Sequence, residues 1–311
     1  MEQELYRSRN VSKCVKAAYT LFNTNFKRIF KELWLPFLVL SLLLAWVLKT
    51  SFQTIGLLPG LKTIDLTSYV LLGCFSFLSA FVYLWALAHV FHLLNAQGLK
   101  ANFIKLLKCF VVYLIIFFVI WFCVGFVQGF IKGAINSYYS RFLPEQQMDL
   151  NTFLIITTVS SLVGFLLIFI VIIPVYYGFT QFMIEDNKFR STFLKSVKVG
   201  FKHWGFLFVI FFVIMLISLV FITILAMPIG ILTITQVSSF QSMSMGDPSG
   251  LPSYFGWLYV ITFTIVYFIT MFFITWAIFV MYYAYGSIKR NEMDRELQKK
   301  EVVSKDTIYN T

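Results

Sequence analysis

Six long apolar runs constrain this chain more than any other feature: residues 33–52, 69–94, 109–131, 153–179, 205–233 and 256–285. A helix needs about 20 apolar residues to cross roughly 30 Å of hydrocarbon, so each run is predicted to be a membrane span. The first has the shortest uninterrupted stretch. Lys49 closes it, with a stem long enough to carry its ammonium to the far interface. Pro36 falls in the first turn of that predicted helix, where its missing N–H costs little; Pro174 and Pro228 fall later in theirs and are expected to kink or end them. Composition agrees: 59% of the 311 residues are hydrophobic and 13% charged, against about 25% charged in soluble domains. The expected fold class is all-α, a polytopic helical membrane protein with six transmembrane helices.

The formal net charge is +11, and its placement decides how it is read. Of the 25 Lys and Arg, all but Lys49, Lys62, Lys132 and Arg141 fall in residues 1–32, 95–108, 180–204 and 286–311. Cationic loops stay on the cytoplasmic side, so both termini are expected there. Cations massed beside apolar runs point to a membrane surface rather than to nucleic acid. The polar N-terminus MEQELYRSRN leads into no signal-peptide core, so the first span is expected to be retained. Cys14, Cys74, Cys109 and Cys123 have neither Cys-x-x-Cys nor metal-ligand spacing and are read as unpaired.

A short basic pattern occurs three times: NFKRIFK at 25–31, NFIKLLK at 102–108 and TFLKSVK at 192–198. Each copy precedes a pair of spans. The chain therefore reads as one membrane domain over 1–290 with pseudo-repeats 12–96, 97–186 and 187–290, and a partly helical cytoplasmic tail at 291–311. Each repeat is expected to open with a basic amphipathic helix lying in the interface. Asn102 or Thr192 is placed to cap such a helix. Phe189, Phe193, Val197 and Phe201 form one apolar stripe in the third copy, expected to face the acyl boundary. Trp34 and Trp204 stand where aromatic-belt residues stand. The candidate contacts to anionic headgroups, or to an acidic membrane-protein partner, are Lys27, Arg28, Lys31, Lys105, Lys108, Arg190, Lys195, Lys198 and Lys202. The simpler account is that these cations only set topology.

Other features carry less. Gly125, Gly129 and Gly133 sit four apart on one helix face, a small-residue stripe that suits packing against another span or a homo-oligomer seam. His89 and His92 share a face at i, i+3 without a supporting Asp, Glu or Cys in the span, which favours packing over metal binding. No Asp or Glu lies in any span core, which argues against a proton-coupled pump. Ser160, Ser161, Thr157, Thr158, Thr262, Thr264, Thr270 and Thr275 either line a polar path or bond back to their own helices. Asp65, Glu145, Asp149 and Asp247 are isolated in the far-side loops. In the tail, Arg290/Asp294 and Glu296/Lys300 have i, i+4 spacing. No catalytic motif, metal site or cofactor site is expected.

The three heptapeptides and the hydropathy around them resemble the six-span bacterial membrane domains found ahead of some glycerophosphodiester phosphodiesterases, and related stand-alone membrane proteins. The likeness covers most of residues 12–290 and implies a helical bundle with pseudo-repeats in a bacterial cytoplasmic membrane. Only residues 286–311 follow the sixth span, so no phosphodiesterase domain is expected and that activity is not carried over. The expected role is a non-catalytic scaffold, assembly or regulatory component. The alternative is a transporter or scramblase of lipids or small amphiphiles, not proton-coupled. An intramembrane enzyme using His89 and His92, or the far-side carboxylates, ranks last.

Overall fold

The computed structural model describes residues 5–54, 66–95, 97–142, 150–185, 189–246, 250–252 and 254–309. Among these there are eight helices: α1 Val11–Thr24, α2 Phe26–Thr54, α3 Leu66–Leu94, α4 Leu99–Phe142, α5 Leu150–Ile184, α6 Phe189–Lys202, α7 Trp204–Ser244 and α8 Phe255–Tyr309. Six are long and apolar enough to cross a membrane, over Phe26–Ser51, Tyr69–Leu94, Leu99–Ala134, Thr157–Ile184, Trp204–Met243 and Phe255–Glu301. The chain is an all-helical, multi-pass membrane protein. In α4, Phe117, Phe118, Trp121, Phe122, Phe126 and Phe130 all stand exposed, an arrangement that suits a lipid solvent and not water. The helices outrun the expected spans. At about 1.5 Å per residue the 44 residues of α4 extend about 66 Å, roughly twice the hydrocarbon thickness.

The chain divides into two compact units, Met1–Phe103 with Phe208–Thr311, and Ile104–Leu207. In the first, α2 packs against both α3 and α8, and α1 continues along α8. Phenylalanines spaced four apart make the α8 seam. Phe22 meets Phe279 at 6.3 Å between centroids, Phe26 meets Phe272 at 6.3 Å, and Phe30 stacks on Phe272 at 5.7 Å. Each such pair adds about 0.5–1.5 kcal/mol beyond the area it buries. Phe26 and Phe30 stay partly exposed and also touch α8, which carries phenylalanines in matching register. At the other end of α2, Ala45 joins Tyr259, Val260 and Phe263 in a core closed by Trp46, Leu48, Ile229, Leu232 and Tyr267. Lys49 ends there, its Nζ 4.7 Å over Trp46 and 5.6 Å over Trp257, so a cation–π clamp holds the ammonium at the helix end.

In the second unit α6 folds back along the C-terminal half of α5. Glycines permit the approach. A Cβ on Gly178 would lie 3.0 Å from Val197 Cγ2, and one on Gly200 would lie 2.9 Å from the Pro174 Cα and carbonyl oxygen. The predicted third-copy stripe therefore packs largely on protein. Phe193 is buried and stacks on Phe189 at 5.1 Å, Phe189 meets Phe182 at 4.8 Å, and only Phe201 of the four stands exposed. Pro174 does not end its helix. Lacking an N–H, it deprives the Ile170 carbonyl of its usual donor, and the Trp204 indole N–H donates to that oxygen at 3.3 Å.

Several expectations change. Pro36 lies well inside α2, because the helix starts at Phe26 rather than near residue 33. After a one-residue break at Asn25, residues 26–31 of NFKRIFK run straight into α2, and NFIKLLK lies within α4; only TFLKSVK lies on a helix separate from its span, α6. The continuity has a local cause, since nothing in 26–31 or 102–108 breaks a helix. Asn102 is not a cap. It sits inside α4, fully buried, and exchanges amide bonds with Asn95 at 2.9 and 3.0 Å across the α3–α4 turn. The cap that does form is Asn10, whose side chain accepts from the Lys13 N–H at 3.0 Å at the start of α1. All four cysteines are free. Ser160, Thr264, Thr270 and Thr275 donate back to carbonyls of their own helices.

Candidate functional site: a cationic groove beside the N-terminal helix

The groove belongs to the first unit and begins with the short segment that precedes α1. Residues 5–9 run against the end of the sixth span and are latched to it. Gly286 makes the room, since a Cβ there would collide with the Leu5 carbonyl and side chain. Ser287 Oγ accepts from the Arg9 N–H at 2.9 Å and donates to the Arg9 carbonyl at 2.9 Å. Tyr6 meets Tyr285 edge-on at 6.4 Å. The Arg9 guanidinium lies 4.9 Å over the Tyr283 ring and donates to the Leu5 carbonyl at 3.0 Å, so its work is structural. The chain then turns through Asn10 into α1.

Down one face of α1 run Lys13, Lys16, Ala17, Thr20, Leu21 and Thr24, spaced three and four apart. With Arg7, Ser8, Arg9, Asn25 and Tyr283 they line a cavity of about 550 Å³. Among the described lining residues four are cations and none is a carboxylate. Arg7, Lys13 and Lys16 are exposed, and among the described residues no ion pair engages the two ammonium groups. Lys13 stands in the first turn of α1, which holds no acidic residue. That end of a helix carries partial positive charge, and a cation there is locally unfavourable. Thr20 and Thr24 donate to the carbonyls of Lys16 and Thr20, which leaves Arg7, Ser8, Lys13 and Lys16 as the groove's outward donors.

Asn25 forms the floor. Its N–H and Nδ2 both donate to the Leu21 carbonyl, at 3.3 and 2.9 Å, ending α1, while its own carbonyl accepts from the Ile29 N–H at 2.9 Å, opening α2. The helix break at the first heptapeptide thus seats the groove. Beyond Asn25, Leu21 and Tyr283 the surface turns apolar: Leu5, Ile29, Leu93, Leu94, Phe279 and Tyr282, with Arg28 at the edge, surround a smaller cavity of about 80 Å³. A cationic chamber and an apolar one therefore share a wall. Cys14 lies on the buried face of α1; burial pushes its thiol up to about 11, against the pull of the Arg9 charge.

The predicted contact residues divide by position. Lys27 and Lys31 are exposed but lie outside the groove, and Arg28 borders the apolar chamber. In the second unit, Lys105 is committed to its own fold. Its Nζ donates to the Glu185 carbonyl at 3.0 Å, just past the end of α5, and lies 5.4 Å from the Phe182 ring. A cation at a helix C-terminus is favourable there. Lys108, Lys195, Lys198 and Lys202 are exposed. The Arg190 side chain lies outside the described residues, as do Asp65, Glu145, Asp149 and Asp247. In each heptapeptide the fifth residue, Ile29, Leu106 or Ser196, is 1–2% exposed and the seventh is exposed, while the second differs: Phe26 is exposed and Phe193 buried.

Gly125, Gly129 and Gly133 face open space, since an added Cβ would meet nothing described within 4 Å. His92 Nδ1 lies 2.8 Å from the Gln97 carbonyl, and His89 meets the Trp85 ring edge-on at 5.3 Å, so both histidines join the packing of the α3 end. Sequence reasoning missed Arg7, Arg9, Lys13 and Lys16 as a site. The signal available was the cation in the first turn of α1 and the polar stripe behind it. Comparison of the chain with protein-family models, with curated proteins and with solved structures finds no match.

Proposed function

We propose that this chain is a non-catalytic integral membrane protein, a scaffold or regulatory component, whose basic inner face holds anionic headgroups or an acidic partner. The observation that carries the reading is the groove lined by Arg7, Arg9, Lys13 and Lys16, with no carboxylate among its described lining residues. Like charges gathered on one wall favour an anion beside them, and each basic residue near an anionic leaflet contributes about 1 kcal/mol. The reading places both termini in the cytoplasm of a bacterium and treats the heptapeptides as equivalent points of three tandem hairpins. The buried fifth and exposed seventh residue of each heptapeptide support it. So does the gathering, within the first unit, of the start of α2, the end of α3 and the late part of α8 around one pair of cavities.

The test is lipid analysis of the full chain purified in mild detergent. Anionic phospholipid should be retained well above its share of the source membrane. Retention at bulk composition overturns the proposal.

A further inference from the structure

We infer that the groove and the apolar chamber beside it form one site for a single phosphate-bearing phospholipid, its headgroup against Arg7, Ser8, Lys13 and Lys16 and the start of its acyl chains over Leu21, Ile29 and Phe279. The inference rests on the basic-face reading and names the ligand class and place. Three observations carry it. First, the cavity of about 550 Å³ falls in the range of small-molecule sites, large enough for a headgroup with water. Second, the donors are of one sign and aimed from two directions: Lys13 and Lys16 from α1, Arg7 and Ser8 from the latched segment. A phosphate diester offers oxygen acceptors to both walls. Third, polarity changes across Asn25, Leu21 and Tyr283, which line both cavities. A soluble anion would use the cationic side alone. An amphiphile uses both, and the apolar side is built from residues at the ends of α2 and α3 where the spans leave the bilayer.

Local cost points the same way. Lys13 in the first turn of α1, with Lys16 one turn on and Arg7 before the helix, runs against ordinary helix electrostatics, and no described carboxylate pairs with the two lysines. A bound phosphate removes that penalty, and lies beside the positive end of α1 as well.

The experiment is native mass spectrometry of the full chain from nanodiscs of phosphatidylglycerol and phosphatidylcholine in equal parts. The wild type should retain one phosphatidylglycerol in preference to phosphatidylcholine. The variant K13Q/K16Q, and separately R7Q, should weaken that retention, at least about tenfold for the double change, with unaltered elution from size exclusion. The control K299Q/K300Q, equally basic and exposed but on the C-terminal part of α8 outside the groove, should retain it. If the wild type discriminates and the control loses lipid as readily as the groove variants, the site is wrong while the basic-face reading survives. If the wild type does not discriminate, both fall. Excess inorganic phosphate should leave the retained lipid in place; phosphate binding that replaces lipid overturns the phospholipid assignment in favour of a soluble anion.

Discussion

Single residues in this protein settle debts created elsewhere in the chain. Trp204 reads from sequence as a membrane-belt residue; in the fold its indole N–H completes a carbonyl that Pro174 left without a donor. Trp204→Phe keeps the ring and removes the N–H, and should lower stability by about 0.5–1 kcal/mol in detergent-solubilised unfolding. In a Pro174→Ala background the helix regains its own donor, so the same substitution should cost clearly less; equal costs in both backgrounds would reject the pairing. Cys14 gives a pH prediction. Its thiol is raised from 9.0 to about 11 by burial, so the folded state holds the proton that the unfolded state gives up first. The stability it contributes is complete below about pH 9 and is lost as pH rises toward 11. Alkylation at neutral pH should therefore be slow in the folded protein and fast after denaturation. Neither role was legible in the sequence, because each depends on a partner brought close by the fold: a carbonyl 34 residues from Trp204, and the packed face of α1.

At the scale of the element, uninterrupted apolar stretches made the spans legible. Their ends were not, since a helix continues through polar residues wherever nothing breaks it. NFKRIFK and NFIKLLK show this directly, for both read as separate ramps and both continue into the spans they precede. The α5–α6 pair shows why α6 does stand apart. It turns back because Gly178 and Gly200 let its backbone lie against Pro174, an intimacy that small residues allow in lipid. Gly200→Val should drive the two helices apart and cost about 1–3 kcal/mol, read as a lowered midpoint of thermal unfolding. Gly125→Ala is the contrast. Its Cβ meets nothing described within 4 Å, and replacing a helix-interior glycine by alanine should hold or raise the midpoint, by up to about 1 kcal/mol. The small-residue stripe was easy to see from spacing; whether another helix used it was not.

Across the molecule, the charge asymmetry that suggested topology also located the site only in part. The cations that stand out in the sequence are those inside the repeated heptapeptides. The groove instead draws on Arg7, Arg9, Lys13 and Lys16, upstream of the first copy, because Tyr283 and Ser287 fold back beside them. Closeness between residues so far apart in the chain leaves no local trace. Orientation is directly testable. Single cysteines placed at positions 12 and 298 in a cysteine-free chain should label with a membrane-impermeant maleimide only from the inner side of sealed vesicles. One placed at position 250 should label from the opposite side. Labelling of 12 and 298 from different sides would refute the proposed threading.

The pairing of Arg9 with Ser287 has a temporal meaning. The two lie 278 positions apart, so one half of this latch leaves the ribosome long before the other, which follows only after the six apolar helices have begun to emerge. The wall of the groove that carries Arg7 and Ser8 is set in place by that late closure. A nascent chain that has not yet made α8 has the lysines but not the finished chamber.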